Sequence, residues 1–265
     1  MASTQDLTTS RWIDLDGAVN ARETGGLPLA SGGRTASGVL LRSDNLQDLS
    51  ARDVRRLLDE HGVRAVVDLR TGIELDLEGP GPLHDVPEVR IEHRSLYPET
   101  GGNTDLDADG SMWVVTGRPA EPGESPAVHA YRGYLEHRPD SIVAALRTVA
   151  QAEGAVLVHC AAGKDRTGVV VALALAAAGV RRDAIVEDYL ATASRIDAIV
   201  SRLAARPTYA AEIRVDDPQS HAPRPGTMER VFEVLDQEHG GPVAWLQSHG
   251  FGDEDLAALR ARLRG

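Results

Sequence analysis

A cysteine and an arginine stand close together in the segment VHCAAGKDRTG, where residues 161–165 separate Cys160 from Arg166. The apolar residues before Cys160 predict a buried strand, and the sequence after Arg166 predicts a helix. A loop of this length between a strand and a helix can turn successive backbone N–H groups inward to bind an anion. The helix N-terminus adds unpaired N–H groups and partial positive charge. The spacing therefore predicts an anion-binding loop.

The residue types in this loop favour phosphate as the anion. Ala161, Ala162 and Gly163 are small, so a phosphate can approach the backbone closely. Arg166 can bind two phosphate oxygens with its planar guanidinium. Near that arginine and the helix N-terminus, we expect the pKa of Cys160 to fall below the usual thiol value of about 8.5. A thiolate can attack phosphorus, so the loop predicts hydrolysis of phosphate monoesters with Cys160 as the nucleophile.

Cys160 is the only cysteine of the chain, which excludes an intramolecular disulfide. A free cysteine is often simply a small core residue. That interpretation does not explain why an arginine and a lysine follow an apolar strand so closely, since charged residues are rarely buried without partners. We therefore favour the interpretation of Cys160 as a nucleophile.

The elements that must hold this loop mix strands with helices. Apolar segments predict strands at 38–43, 64–70, 89–93 and 155–159. Helices are predicted at 51–60, 126–136, 139–153, from the loop to Ala178, and at 182–206, 228–238, 242–248 and 253–264. This order indicates an α/β fold with a central, mostly parallel sheet flanked by helices, and a phosphate-binding loop between a buried strand and a helix. We expect residues 1–265 to form a single domain.

Two segments of the sequence lack regular periodicity, namely 97–125 and 207–225. Both are rich in turn-forming residues. Structureless segments of this length are uncommon inside a compact domain and are often functional. Both segments are therefore candidates for lids over the site.

The charge of the chain limits its partners. It has 28 Lys and Arg against 40 Asp and Glu, a formal net charge of -12, which disfavours nucleic acid and anionic bilayers. The N-terminus has no signal-peptide pattern, and the longest apolar run, 168–180, is too short to span a bilayer. We expect a phosphorylated substrate held by local positive charge, no stable membrane insertion and a cytoplasmic location, with signal-less export left open.

The segment HCAAGKDRTG resembles the signature of the protein tyrosine phosphatase superfamily, and GKDRTG resembles a bacterial tyrosine and dual-specificity, phosphoinositide-capable subgroup. The segment NARETGG at 20–26 is similar to that subgroup's N-F-R-D-x-G-G, with Ala21 replacing the aromatic residue and Glu23 replacing Asp. LLRSDNLQDLS, VVDLRTGIE and EDYLATASRI are similar as well. The resemblance covers most of the chain and implies a tyrosine-phosphatase-like fold.

The resemblance also implies roles for residues around the loop. Cys160 would be the nucleophile, Arg166 the phosphate clamp, and Thr167 the donor of a hydroxyl to the sulfur. His159 would orient the cysteine backbone, although a purely structural histidine at a strand end fits equally well. The implied mechanism needs neither a cofactor nor a metal. The phosphate-binding residues would be Ala161, Ala162, Gly163, Lys164, Asp165 and Arg166.

A carboxylic acid that protonates the leaving oxygen would assist this reaction. Many relatives carry such an acid in a W-P-D loop, which the sequence lacks. Asp165 is our first candidate because it lies inside the loop, as the GKDR pattern suggests. The alternatives on segment 97–125 are Glu99, Asp105, Asp107 and Asp109. Any of these loop carboxylates also suits an ordinary solvated position on the surface.

Lys164 is a second cation in the loop. It would bind a further phosphate or a carboxylate of the substrate, or else point to solvent or pair with an acid, and both alternatives stay open. Two other groups of polar residues predict support for the loop or local packing. The first, an arginine held by carboxylates, consists of Asp68, Arg70 and Glu74, and the second of Asn20, Arg22, Arg42 and Ser43.

These features favour a metal-independent phosphatase with a phosphocysteine intermediate. Its expected substrates are phosphotyrosine proteins, with phosphoserine, phosphothreonine or phosphoinositides in addition. A phosphatase of a small metabolite or nucleotide-type intermediate would use the same chemistry and stays open. Intact Cys160 and Arg166 argue against a phosphate-binding module without turnover. Arsenate reduction usually needs resolving cysteines, which are absent, whereas sulfur transfer stays open.

Overall fold

The computed structural model describes residues 11–98, 124–211 and 213–264. Its centre is a five-stranded sheet. The strands are β1 (Arg22–Glu23), β2 (Leu40–Ser43), β3 (Val63–Asp68), β4 (Arg90–His93) and β5 (Ala155–His159). Their spatial order is β1-β2-β5-β3-β4.

Four of these strands run parallel to one another. β5 lies between β2 and β3, and β4 pairs with the other side of β3. β1 is antiparallel to β2. Every residue of β5 is buried, which agrees with its continuous apolar sequence. The prediction of an α/β fold with a mostly parallel sheet is confirmed.

Helices surround this sheet. They are α1 (Ala51–Arg55), α2 (Gly72–Glu78), α3 (Pro126–His137), α4 (Pro139–Gln151), α5 (Asp165–Ala178), α6 (Arg182–Ala191), α7 (Ile196–Ala204), α8 (Pro207–Ala210), α9 (Thr227–His239), α10 (Pro242–Ser248) and α11 (Asp253–Leu263). α1 continues as a π-helical turn at Arg56–Glu60. Turns of 3₁₀-helix occur at Pro82–Asp85, Thr192–Arg195 and Pro218–His221.

The two faces of the sheet contact different layers, because alternate residues of a strand point to opposite sides. Val156 and Val158 belong to a large core with residues of α3 to α6 and α9 to α11. Ala155 and Leu157 belong to a smaller core with α1 and the chain before β1. The central strand that leads to Cys160 is thus fixed from both sides.

Several predicted elements differ from the structure. The predicted helix 182–206 is divided by the 3₁₀ turn, so α6 and α7 are separate. Segment 207–225, which lacks periodicity, contains α8 and a 3₁₀ turn. Neither β1 nor α2 was predicted. β1 has only two residues, whereas α2 begins with a capping box between Thr71 and Glu74 that the sequence did display.

Most of segment 97–125 lies outside the described residues, so its role as a lid stays a prediction. The same holds for the candidate acids Glu99, Asp105, Asp107 and Asp109. Among the helices that the structure does describe, none combines the length and the apolar character needed to span a membrane.

Candidate active site

Cys160 directly follows the central strand β5, and the loop that it begins runs into α5. Its side chain is buried but borders a cavity at the carboxyl end of the parallel strands, where α/β folds commonly bind ligands. Gly163 and Thr167 are not among the residues that line this cavity. The loop residues that do line it are Cys160, Ala161, Ala162, Lys164, Asp165 and Arg166.

Gly163 makes the turn of the loop. Its φ angle is +66°, in the left-handed region that favours glycine. A Cβ atom at this position would lie 2.3 Å from the backbone oxygen of Ser43. The loop therefore packs directly against the end of β2, and only glycine permits this approach.

Three successive carbonyl groups of the loop are bound by the surrounding structure. The anchoring hydrogen bonds run from Asn45 N to Ala161 O (2.9 Å), from Asn20 Nδ2 to Ala162 O (2.9 Å) and from Arg42 Nη2 to Gly163 O (2.8 Å). Each donor belongs to a different part of the N-terminal region. The predicted support of the loop by Asn20 and Arg42 is therefore visible as direct contacts, and Asn45 adds a third.

These anchored carbonyls determine where the loop N–H groups point. In a planar trans peptide the C=O of one residue and the N–H of the next point in opposite directions. The N–H groups of residues 162–164 consequently point away from the N-terminal region. In the described part of the chain, the backbone N–H groups of residues 161–167 donate to no protein acceptor. The loop thus has the arrangement that an anion-binding nest requires.

Arg166 is held by a buried ion pair with Glu74. Its Nη1 lies 2.5 Å from Glu74 Oε2 and its Nη2 lies 3.0 Å from Oε1, while Nη1 also donates to Leu69 O at 3.3 Å. The Nε–H and one Nη2–H remain for a phosphate. Burial disfavours the charge, but Glu74 and then Cys160 outweigh it and raise the pKa of Arg166 well above its usual value. The guanidinium is therefore a fixed cation close to the thiol.

Glu74 accepts four hydrogen bonds on its two oxygens. Besides the two from Arg166, Oε2 accepts from Thr71 N at 2.8 Å, and Oε1 accepts from Tyr209 OH at 3.1 Å. Burial alone would raise the pKa of Glu74, but Arg166 and these donors lower it. The charge of Glu74 also acts on Arg70, as expected from their grouping, but its direct ion pair is with Arg166, which the sequence did not reveal.

Asp68 is the carboxylate that pairs with Arg70, at 2.7 Å between Oδ2 and Nη2. The same oxygen lies 3.4 Å from His159 Nε2, and His159 Nδ1 lies 3.3 Å from Cys160 O. Burial opposes ionisation of Asp68, but His159 and Arg70 hold its pKa well below the usual range. His159 thus lies between a buried carboxylate and the cysteine backbone, and its role in orienting the cysteine stays a prediction.

Asp188, at the end of α6, holds the arginine that supports the loop. Its Oδ2 lies 2.7 Å from Arg42 Nη1, and its Oδ1 accepts from Arg11 at 2.9 Å and from Arg22 at 3.3 Å. Burial opposes ionisation, but these guanidinium groups hold the pKa of Asp188 well below its usual range. The sequence did not indicate Asp188 as a support of the loop, although Asp188 lies in the family-like segment EDYLATASRI.

Thr167 lies in the first turn of α5, and its side chain is buried. Its Oγ1 has no hydrogen-bond partner within the described residues. The expected hydrogen bond to Cys160 Sγ is therefore not made in this structure. The role of Thr167 toward the sulfur stays a prediction, and its hydroxyl is available for it.

Asp165 and Lys164 contact each other at the mouth of the cavity, with Lys164 Nζ 3.4 Å from Asp165 Oδ1. The hydroxyl of Tyr131 donates to the same Oδ1 at 2.5 Å. Of the alternatives for Lys164, the structure contains the ion pair with an acid. Lys164 also lines the cavity, so its role in binding a further phosphate or a carboxylate of the substrate stays a prediction.

All five tyrosines of the chain are buried around this site, which the sequence did not suggest. Their hydroxyls form pairs between Tyr131 and Tyr189 (2.9 Å) and between Tyr97 and Tyr134 (3.1 Å), and Tyr209 donates to Glu74. The guanidinium carbon of Arg166 lies 5.4 Å from the centre of the Tyr97 ring, within cation–π distance. The tyrosines thus form part of the buried surroundings of Arg166 and Asp165.

A second part of the cavity wall is mostly apolar and comes from α7 and the chain after it. His221 stands near Lys164 at this wall, and the backbone N–H of Arg214 donates to His221 Nε2 at 3.0 Å. The residues of this wall are Ile196, Ile199, Val200, Leu203, Tyr209, Ile213 and His221. Segment 207–225 therefore borders the site, and its role as a lid stays a prediction.

The described residues contain no group of three or more His, Cys, Asp or Glu side chains placed to hold a metal ion. What they do contain is a cysteine, an anion-binding loop and a fixed arginine on the central strand of an α/β sheet. This fold and site define a cysteine-dependent phosphatase of the protein tyrosine phosphatase type.

Comparison with known proteins identifies the family. Residues 13–265 match the tyrosine phosphatase family, and the chain belongs to it. A tyrosine-protein phosphatase of Nostoc commune is 31% identical over 229 residues, which cover 84% of this chain and 73% of the relative. The triple specificity protein phosphatase PtpB of Mycobacterium tuberculosis is 32% identical over 220 residues, covering 72% of each chain. The resemblance of the sequence to the protein tyrosine phosphatase superfamily is confirmed.

Proposed function

We propose that the enzyme hydrolyses phosphate monoesters through a phosphocysteine intermediate formed on Cys160. The observation that carries this proposal is the anchoring of three loop carbonyls by Asn45, Asn20 and Arg42. This anchoring directs the N–H groups of the same peptides away from these three residues. Those N–H groups, together with the free N–H groups of Arg166, are suited to hold the nonbridging oxygens of a phosphoryl group. Charge that develops on these oxygens is then stabilised by donors already in place.

In the first step, the Cys160 thiolate attacks phosphorus, the S–P bond forms and the bond from phosphorus to the leaving oxygen breaks. Asp165 gives its proton to that oxygen, so the product leaves as an alcohol or phenol. Asp165 is favoured for this role because it lines the cavity beside the other loop residues. In the sequence it lies six residues or fewer from each of them. A proton matters most when the leaving group is a poor one.

In the second step, water attacks the phosphocysteine and the S–P bond breaks. The Asp165 carboxylate takes the proton from water, and the thiolate and inorganic phosphate are released. The unbonded hydroxyl of Thr167 is suited to donate to the departing sulfur. Each step balances without an oxidant or reductant, and the chain returns to its starting state.

We favour phosphotyrosine proteins as substrates because the cavity combines the anion-binding loop with the apolar wall of α7. Apolar side chains such as Ile199 and Val200 suit an aromatic ring beside the phosphate. Phosphoserine, phosphothreonine and phosphoinositides are proposed as further substrates, supported by the cation Lys164 at the cavity. A small phosphorylated metabolite remains the second candidate, since the proposed loop contacts involve only the phosphoryl group.

A substrate panel with Cys160→Ser as the blank tests the chemistry and the substrate class together. Phosphotyrosine peptides, phosphoserine peptides, phosphoinositides and nucleotide monophosphates are compared by phosphate release. Acid quenching during turnover, followed by peptide mass spectrometry, should find one phosphoryl group on Cys160. Turnover without that adduct contradicts the intermediate. Phosphate binding without any turnover supports a silent binding module instead.

A further inference from the structure

Tyr131 makes the closest contact with the proposed acid, at 2.5 Å between its hydroxyl and Asp165 Oδ1. Tyr131 lies in α3 and is fully buried, 34 residues from Asp165 in sequence. The hydrogen bond from Tyr131 is made to Oδ1, which is also the oxygen nearest to Lys164 Nζ, at 3.4 Å. Among the described residues, no hydrogen bond to Oδ2 is found. The two oxygens of this carboxyl are therefore not equivalent.

The hydroxyl of Tyr131 is itself held in place. Tyr189 OH lies 2.9 Å from it, and the two rings meet edge to face with centroids 6.4 Å apart. Burial, then the charge of Asp165 and the neighbouring Tyr189, raises the pKa of Tyr131 well above its usual value. The phenol therefore stays protonated and donates a hydrogen bond to Oδ1. Its own oxygen can accept a hydrogen bond from Tyr189.

We propose that Tyr131 is a positioning residue for Asp165: its hydroxyl occupies Oδ1 and fixes the carboxyl so that Oδ2 carries the proton to the leaving oxygen. This inference rests on the proposed function, in which Asp165 is the acid. Tyr131 does not touch the substrate in this scheme. It acts by keeping the carboxyl in one orientation, and it is supported from behind by Tyr189.

The test compares Tyr131→Phe with Tyr134→Phe. Both changes remove one hydroxyl from a buried ring of α3, but the hydroxyl of Tyr134 contacts Tyr97 rather than Asp165. Activity is measured as kcat/KM on para-nitrophenyl phosphate, which has a good leaving group, and on an alkyl phosphate, which has a poor one. This ratio reports on steps up to cleavage of the bond to the leaving group and excludes the later hydrolysis of the phosphocysteine, which both substrates share. For Tyr131→Phe we expect kcat/KM on the alkyl phosphate to fall about tenfold, a part of what a general acid contributes, and kcat/KM on para-nitrophenyl phosphate to change less than about twofold.

Tyr134→Phe should change both substrates by the same factor, because it leaves the acid in place. An equal loss on both substrates for Tyr131→Phe, with normal thermal unfolding, overturns the positioning role. If Tyr131→Phe does not fold, Tyr189→Phe is measured instead. It should show the same preference in weaker form, and an equal effect on both substrates overturns the inference.

Asp165→Asn separates failure of this inference from failure of the proposed function. If Asp165→Asn lowers kcat/KM for both substrates equally, Asp165 is not the acid and the assignment under the proposed function falls as well. If it selectively slows the alkyl phosphate while Tyr131→Phe does not, only the inference fails. In the double variant, the loss should not exceed that of Asp165→Asn alone, since Tyr131 acts through Asp165. Additive losses contradict that dependence.

Discussion

Replacing Glu74 by glutamine removes one buried negative charge and the acceptor capacity of one oxygen. Glutamine has nearly the same shape, and it also serves in a capping box, so the start of α2 should survive. The two oxygens of Glu74 accept from Arg166 twice and from Thr71 and Tyr209 once each. The amide nitrogen of glutamine cannot accept, so two of these four donors lose their partner whichever way the amide is turned.

The expected cost follows from those contacts. A hydrogen bond to a charged group contributes about 1.5–3 kcal/mol, and breaking a buried ion pair costs about 3–5 kcal/mol. We therefore expect Glu74→Gln to lower the free energy of unfolding by about 3 kcal/mol and the Tm by roughly 10 °C. Because Arg166 loses its fixed position, kcat/KM should fall about 100-fold.

The pH dependence gives a second readout of the same pair. The pKa of Glu74 is lowered from its usual value of 4.5 in the folded chain, despite burial, because Arg166 is beside it. The stabilisation is therefore present above pH 4.5 and is lost as the pH falls through the folded value. The stability difference between the wild type and Glu74→Gln should narrow on acidification.

The assay is urea unfolding followed by circular dichroism at several pH values, together with steady-state kinetics. Glu60→Gln is the matched control, because Glu60 pairs with Arg56 on the surface and its side chain is 57% exposed. That change should cost less than about 1 kcal/mol. A Glu74→Gln enzyme with wild-type stability and wild-type kcat/KM would show that Glu74 does not fix Arg166.

Two further changes test the support of the loop. Gly163→Ala places a Cβ 2.3 Å from a backbone oxygen at φ +66°, so kcat/KM should fall by about 100-fold. Gly26→Ala is the control: at φ +77° its Cβ meets no neighbouring atom. It should lower the free energy of unfolding by about 1 kcal/mol and leave kcat/KM unchanged. Equal activity of the two variants contradicts the tight approach. Asp188→Asn leaves Arg22 and Arg42 without their buried counter-charge and should lower the free energy of unfolding by about 3–5 kcal/mol at neutral pH. Because the pKa of Asp188 is lowered, this difference should shrink as the pH falls below 3.8, and a difference independent of pH contradicts it.

The sequence predicts those parts of the fold that depend on local patterns of apolar residues. β5 and α5 are continuous apolar segments on either side of the loop, so their type and most of their bounds were predicted correctly. α6 and α7 merged in the prediction because the turn between them contains no glycine or proline. β1, with two residues, is too short for any periodicity to show.

The parts of the site that were missed depend on contacts between distant positions. Arg166 and Glu74 are 92 residues apart, and Arg42 and Asp188 are 146 residues apart. A sequence shows that such residues exist, but which carboxylate meets which arginine depends on how the strands and helices pack. The same reason hid Tyr131, whose partner Asp165 was singled out while the tyrosine was not.

The burial of every tyrosine beside the loop has a practical consequence. Since the chain has five tyrosines and all of them lie near the cavity, the phenol part of the near-ultraviolet difference spectrum, as distinct from the part due to the three tryptophans, reports on this region. Binding of inorganic phosphate or vanadate can then be followed by difference spectroscopy on the unlabelled enzyme. The enzyme therefore carries its own chromophores for measuring occupancy of the loop.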